Sequence, residues 1–114
     1  MKDLPAMIYR RKPGESVMLG DDREVVLIWC DRHSAAIELR HVLPHERSSW
    51  IGSCSVKLSV GGEARWEVTG RGESVTVLLF RSDTGSASLV IGADRRLPVH
   101  RREVYDAVQR AENR

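Results

Sequence analysis

The feature that most limits what this chain can fold into is an internal repeat of short strand-and-turn units. Gly20-Asp21, followed by Val25-Val26-Leu27-Ile28, Asp31, Ser34-Ala35 and Ile37, is matched further along by a second set. That set is Gly72-Glu73, Val77-Leu78-Leu79-Phe80, Asp83, Ser86-Ala87 and Leu89. The separation between the two sets is constant from first pair to last, as expected of repeated supersecondary units. Leu43-Pro44-His45-Glu46-Arg47 resembles Leu97-Pro98-Val99-His100-Arg101, and Gly14-Glu15 has a counterpart in Gly62-Glu63. The pattern implies two diverged five-stranded copies, residues 1–52 and 53–114, joined near Trp50 to Cys54. At 114 residues in all, the chain is one compact unit or two very small ones sharing a core.

Strand signals run through both halves. Met7-Ile8-Tyr9 precedes a basic stretch, and Pro13-Gly14 supplies turn chemistry before Ser16–Leu19. Glu24–Cys30 is rich in β-branched and apolar residues, and Ala35–Arg40 alternates apolar with charged positions. Ser55–Val60, Ala64–Thr69, Ser74–Phe80 and Ala87–Ile91 follow, separated by Gly61-Gly62, Gly70-Arg71-Gly72 and Asp83-Thr84-Gly85-Ser86. Leu97–His100 reads as a short extended piece at a sheet edge, because proline cannot donate to a ladder. Only the last segment has helical periodicity, with Val104, Ala107, Val108 and Ala111 on one stripe. The fold class is therefore mainly β with one C-terminal helix. Trp29 and Trp66 are expected in the core and Trp50 over the join, while Cys30 reads as a small buried hydrophobe closing its strand.

Composition removes several function classes. The longest apolar run, Val25 to Cys30, falls far short of the roughly 18 residues of a membrane span. Met1-Lys2-Asp3-Leu4-Pro5 leads into no apolar h-region, so a cytoplasmic location is the expectation. Cys30, Cys54 and the four histidines lack ligand spacing, and no nucleophile-elbow, zincin or phosphate-loop pattern is present. No catalytic residue, metal or cofactor is assigned, and the turn acids Asp21 and Asp22 read as turn formers. Net charge is only +2, but Arg10, Arg11 and Lys12 cluster near the start and Arg95, Arg96, Arg101 and Arg102 near the end. Such clusters form one basic patch only if the chain ends meet.

The two ends carry a family resemblance. Met7-Ile8-Tyr9-Arg10-Arg11-Lys12-Pro13-Gly14-Glu15-Ser16-Val17-Met18-Leu19-Gly20-Asp21-Asp22 resembles the opening of the carbon storage regulator (CsrA/RsmA) family. Leu97-Pro98-Val99-His100-Arg101-Arg102-Glu103-Val104-Tyr105 resembles that family's final strand running into its helix. The middle, from about Val42 to Arg71, matches poorly. Family members are about half this length and form interdigitated homodimers, the first strand of one subunit beside the last of the other. They bind GGA-containing RNA loops and alter the translation or stability of mRNA.

The resemblance implies an mRNA-binding post-transcriptional regulator, with single-stranded or hairpin-loop mRNA or small RNA as partner. The chain would be a monomeric single-chain pseudo-dimer, two five-stranded repeats in a β-barrel or sandwich; a single copy with a long insertion would instead form a homodimer. Arg11 matches the first-strand RNA-contacting arginine, flanked by Ile8, Tyr9, Arg10 and Lys12. Arg101 matches the last-strand arginine, flanked by Val99 and His100. Tyr9 replaces a more usual aliphatic residue and offers a stacking ring, and His100 reads as a local packing or capping residue. The second copy of the site would pair Arg47 with the strand around Val56 to Val60, where Ser59 or Val60 takes the arginine's place. One competent and one degenerate site are expected, with the first copy's helix lost in Ser48-Ser49-Trp50. The other reading is an interaction module or antagonist of the same fold that pairs through its strand edges and no longer binds RNA.

Overall fold

The computed structural model describes residues 6–43, 46–67, 74–94 and 96–112, of which 43 and 46–52 are described as backbone only. Two antiparallel sheets face one another, and each draws strands from both halves of the chain. One, in the order β1-β8-β7-β6, contains Ala6–Arg11, Ala87–Ala93, Ser74–Ser82 and Glu63–Glu67. The other, β5-β4-β3-β2-β9, contains Glu46–Ser59, Ser34–Leu43, Arg23–Cys30, Ser16–Leu19 and Val99–Arg101. The first strand thus joins the sheet built by the C-terminal half, and the last joins the sheet built by the N-terminal half. A helix, α1 (Arg102–Glu112), follows β9 without a break. Among the described residues, no helix is long and apolar enough to cross a membrane.

The alternation read from the sequence becomes the shared core. Val25, Leu27, Ile37, Val75, Val77, Leu79, Leu89 and Ile91 are all within 2% of complete burial and belong to one cluster fed by both sheets. Cys30 ends β3 in the same cluster, where burial, with Asp31 and Asp83 nearby, pushes its thiol up from the ordinary value. Cys30 and Cys54 are both free thiols.

Matching irregularities occur in the two sheets. β3 shifts register against β4 between Leu27 and Trp29, and β7 shifts against β8 between Leu79 and Arg81. The Gly14 N–H donates to Leu27 O at 2.7 Å, and the Gly61 N–H to Leu79 O at 2.8 Å. Both turns need a glycine, since φ is 90° at Gly14 and 89° at Gly61, a region costly to residues with a Cβ. Gly61, not Gly62, is therefore the structural counterpart of Gly14.

Other expectations change. β5 runs for 14 residues and pairs with β4 from Leu43↔Glu46 to Ser34↔Ser59, so the 52/53 join lies inside a strand. The described strands number nine, because no separate strand precedes the join. Trp29 is 43% exposed, since the bulge breaks the alternation that would have turned it inward; Trp66 packs half-buried against the core. The side chains of Arg47 and Trp50, the turn at 70–72 and Arg95 lie outside the described residues.

The helix docks by Tyr105 rather than by its apolar stripe. Tyr105 is 5% exposed and packs with Met18 and Val42, while its hydroxyl donates to Asp21 Oδ1 at 2.8 Å. Val108 remains 41% exposed. Arg102 adds ion pairs to Glu24 on β3 and to Asp106 on its own helix. Tyr105→Ala is expected to cost about 3–5 kcal/mol, by analogy with other buried aromatic truncations. Urea unfolding monitored by circular dichroism reads this directly.

Candidate nucleic-acid interface

β1 and β9 are the edge strands of different sheets. They are not ladder partners, so the expected single sheet border is instead a seam between two edges. Two side-chain links close it. The Tyr9 hydroxyl donates to Val99 O at 3.4 Å, a long contact. More firmly, the Arg11 guanidinium donates to both Glu103 oxygens, Nη1 to Oε2 at 2.9 Å and Nη2 to Oε1 at 3.0 Å. Arg11 Nε also donates to Arg10 O at 2.8 Å, and Nη1 reaches Ser16 O at 3.4 Å.

These contacts alter the role expected of Arg11. Only 5% exposed, it points inward with Tyr9 and fastens β1 to the first turn of α1. A buried guanidinium needs its donors satisfied, and Glu103 together with two carbonyls does this. Glu103 in turn is held down to about 2, first by the hydrogen bonds from Arg11, then by a backbone N–H. Arg101 Nε lies 3.8 Å from Glu103 Oε1, a looser contact that leaves Arg101 52% exposed.

Between the two edges opens a groove of about 550 Å³. Its apolar walls come from Met7 and Tyr9 on β1, Ile91 and Ala93 on β8, and Leu97 and Val99 before and on β9; Asp94, His100, Arg101 and Val104 complete it. Of the residues expected at the site, Tyr9, Val99, His100 and Arg101 therefore meet here. His100, expected as a local packing or capping residue, is exposed and pairs with Met18 through the backbone. Burial raises the Tyr9 phenol, opposed by the Arg101 charge. Ile8 and Arg10 alternate to the other face of β1, both exposed, and exposed Lys12 lies just past the strand. Met7, Leu97 and Val104 were missed as groove residues, because only the approach of two separate edges brings them together.

The C-terminal basic cluster is partly neutralised. Among its described members, Arg96 is paired with Asp94 and Arg102 with Glu24 and Asp106, while Arg101, in its looser contact with Glu103, lines the groove. On the opposite seam, Leu58 stands against Ala35 as Arg11 stands against Ala87. Leu58, not Ser59 or Val60, takes the register position of Arg11, and it is 5% exposed in the core. Among the described residues β6 has only β7 as a neighbour, whereas β2 has both β3 and β9. Comparison with protein-family models, curated proteins and solved structures finds no match for this chain.

The depressed Glu103 value carries a pH consequence. The fold favours the charged carboxylate, so the stabilisation is complete above the ordinary value of 4.5 and disappears as pH falls toward about 2. Because Glu103 is 54% exposed, solvent screening reduces the contribution to about 1 kcal/mol. Denaturant midpoints across that window are expected to fall more steeply for the wild type than for Glu103→Gln.

Proposed function

We propose that this chain is a sequence-specific RNA-binding regulator of mRNA, a single-chain pseudo-dimer of the carbon storage regulator type that reads GGA-containing loops. The convergence of Tyr9, Val99, His100 and Arg101 on one groove carries this reading. Loop bases are unstacked and offer their edges to side chains and to strand backbones. The groove offers an apolar cleft with a tyrosine ring for a base and an exposed arginine at its mouth. The planar fork of Arg101 suits guanine O6 and N7, and His100 adds a second polar group. Arg11 acts as a positioning residue, through Glu103.

The strand exchange supports the duplicated form of the reading. The four-stranded sheet is a meander, β6-β7-β8, with β1 from the other end of the chain laid against it; the five-stranded sheet is a meander, β2-β3-β4-β5, with β9 laid against β2. The paired bulges and the Gly14 and Gly61 turns fall at corresponding places in the two meanders. Leu58 at the Arg11 position supports one competent site per chain. A module without RNA binding draws support from the edge of β6, which among the described residues has no ladder partner beyond β7 and could pair with a partner's strand.

Arg101→Ala is expected to weaken binding to a GGA hairpin by about 1–3 kcal/mol, roughly 5- to 150-fold, and to remove discrimination against a scrambled loop. A gel-shift titration at fixed salt measures both. Equal wild-type affinity for the two RNAs overturns the reading. Light scattering is expected to give the 12.9 kDa monomer mass; a dimer favours the single-copy form with an insertion.

A further inference from the structure

We propose that Arg10, Ser88 and Arg81, with Ser86 beside them, form a phosphate-binding row that holds the RNA backbone as it leaves the groove. The proposal rests on the RNA reading above and extends it to the opposite face of β1. Register places the three residues in line: Arg10 opposite Ser88, and Ser88 opposite Arg81. Neighbouring strands lie about 4.8 Å apart, so the two arginine backbones are separated by about 10 Å with a hydroxyl between them. Arginines so placed span one phosphate or two consecutive ones.

All three side chains line a depression of about 270 Å³, together with Ser82, Asp83 and Ser86. Both guanidiniums are exposed yet oriented. Arg10 Nε donates to Ser86 Oγ at 3.1 Å, and the Arg81 guanidinium lies 5.3 Å from the Phe80 ring centre. Such anchoring reduces the entropy lost when a ligand is clamped. Neither arginine has a carboxylate partner among the described residues, in contrast to Arg11, Arg40, Arg96 and Arg102. The one acid at the rim, Asp83, accepts the Thr84 N–H at 2.7 Å.

The other sheet serves as an internal comparison. Its corresponding row is Lys57, Ala36 and Trp29, where one cation lies over the tryptophan ring at 5.4 Å. The residue after the bulge is thus arginine on the sheet edged by β1 and tryptophan on the sheet edged by β5 and β9. Tyr9 and Arg10 are consecutive on an edge strand, one directed into the groove and the other out to the row. A strand of RNA curling round that edge can place a base on one face and its phosphates on the other. Phosphate contacts fix register and add affinity without reading sequence.

The test titrates a GGA hairpin and its scrambled-loop counterpart from 50 to 200 mM salt with the full chain, melting curves confirming that each variant folds. Arg81→Ala is expected to weaken both RNAs by the same factor, roughly 3- to 10-fold, and to lower the salt slope by about 0.7–0.9. Arg81→Lys recovers most of the loss. Arg65→Ala, which removes an equal charge from β6, leaves binding and slope unchanged. The row is overturned if Arg81→Ala binds like the wild type while Arg101→Ala loses discrimination, an outcome that leaves the groove reading intact. It is also overturned if the Arg81 loss is confined to the GGA hairpin or if Arg65→Ala matches it. A wild type that binds neither RNA removes the groove reading and the row together.

Discussion

The fork of Arg11 on Glu103 is the contact on which the groove geometry depends. β1 belongs to one sheet, β9 and α1 to the other, and no backbone ladder joins them. A guanidinium 5% exposed needs most of its donors satisfied by protein. Two carboxylate bonds and two carbonyl bonds do so only when the end of β1 lies against the first turn of α1. Glu103 also sits where a helix N-terminus favours negative charge. The same contact that satisfies a buried cation thus sets the width of the seam and leaves the neighbouring Arg101 at the surface.

The other seam shows what that arrangement replaces. There Leu58 occupies the register position of Arg11 and contributes to the core as an ordinary apolar residue. β6 carries Ala64 and Trp66 only half-buried, while on β2 Val17 and Leu19 are fully buried in the core beside β9, and Met18 is buried against Tyr105 of α1. A terminal strand and helix therefore cover one seam, and β6 has no such cover among the described residues. In the proposed function this asymmetry separates one RNA-binding groove from a seam that has become structural.

Much of the strand order was legible because turn glycines and alternating apolar residues are local signals. The strands at Ser16–Leu19 and Ala87–Ile91, and the helix after Arg101, were all readable this way. Trp29 was not, since one extra residue in a bulge reverses which face a side chain takes. Tyr105 was missed as the docking residue for a related reason. The apolar stripe of an 11-residue helix marks a face, but the partner surface selected one ring beside it, with Asp21 to accept its hydroxyl. At the site, Tyr9, Val99, His100 and Arg101 came from the resemblance of the chain ends, whereas Arg81 had no mark in the sequence.

By itself the sequence determined that this chain is mainly β with one C-terminal helix, with a basic residue cluster near each end. Those properties follow from side-chain periodicity, turn chemistry and charge, each of which acts over a few neighbours. Only the tertiary structure decided which arginines are available. Arg11 and Arg102 are engaged by Glu103 and Glu24, while Arg10, Arg81 and Arg101 remain exposed. That sorting depends on which carboxylates the strand exchange brings within reach, and these two pairings join residues 92 and 78 positions apart in the chain.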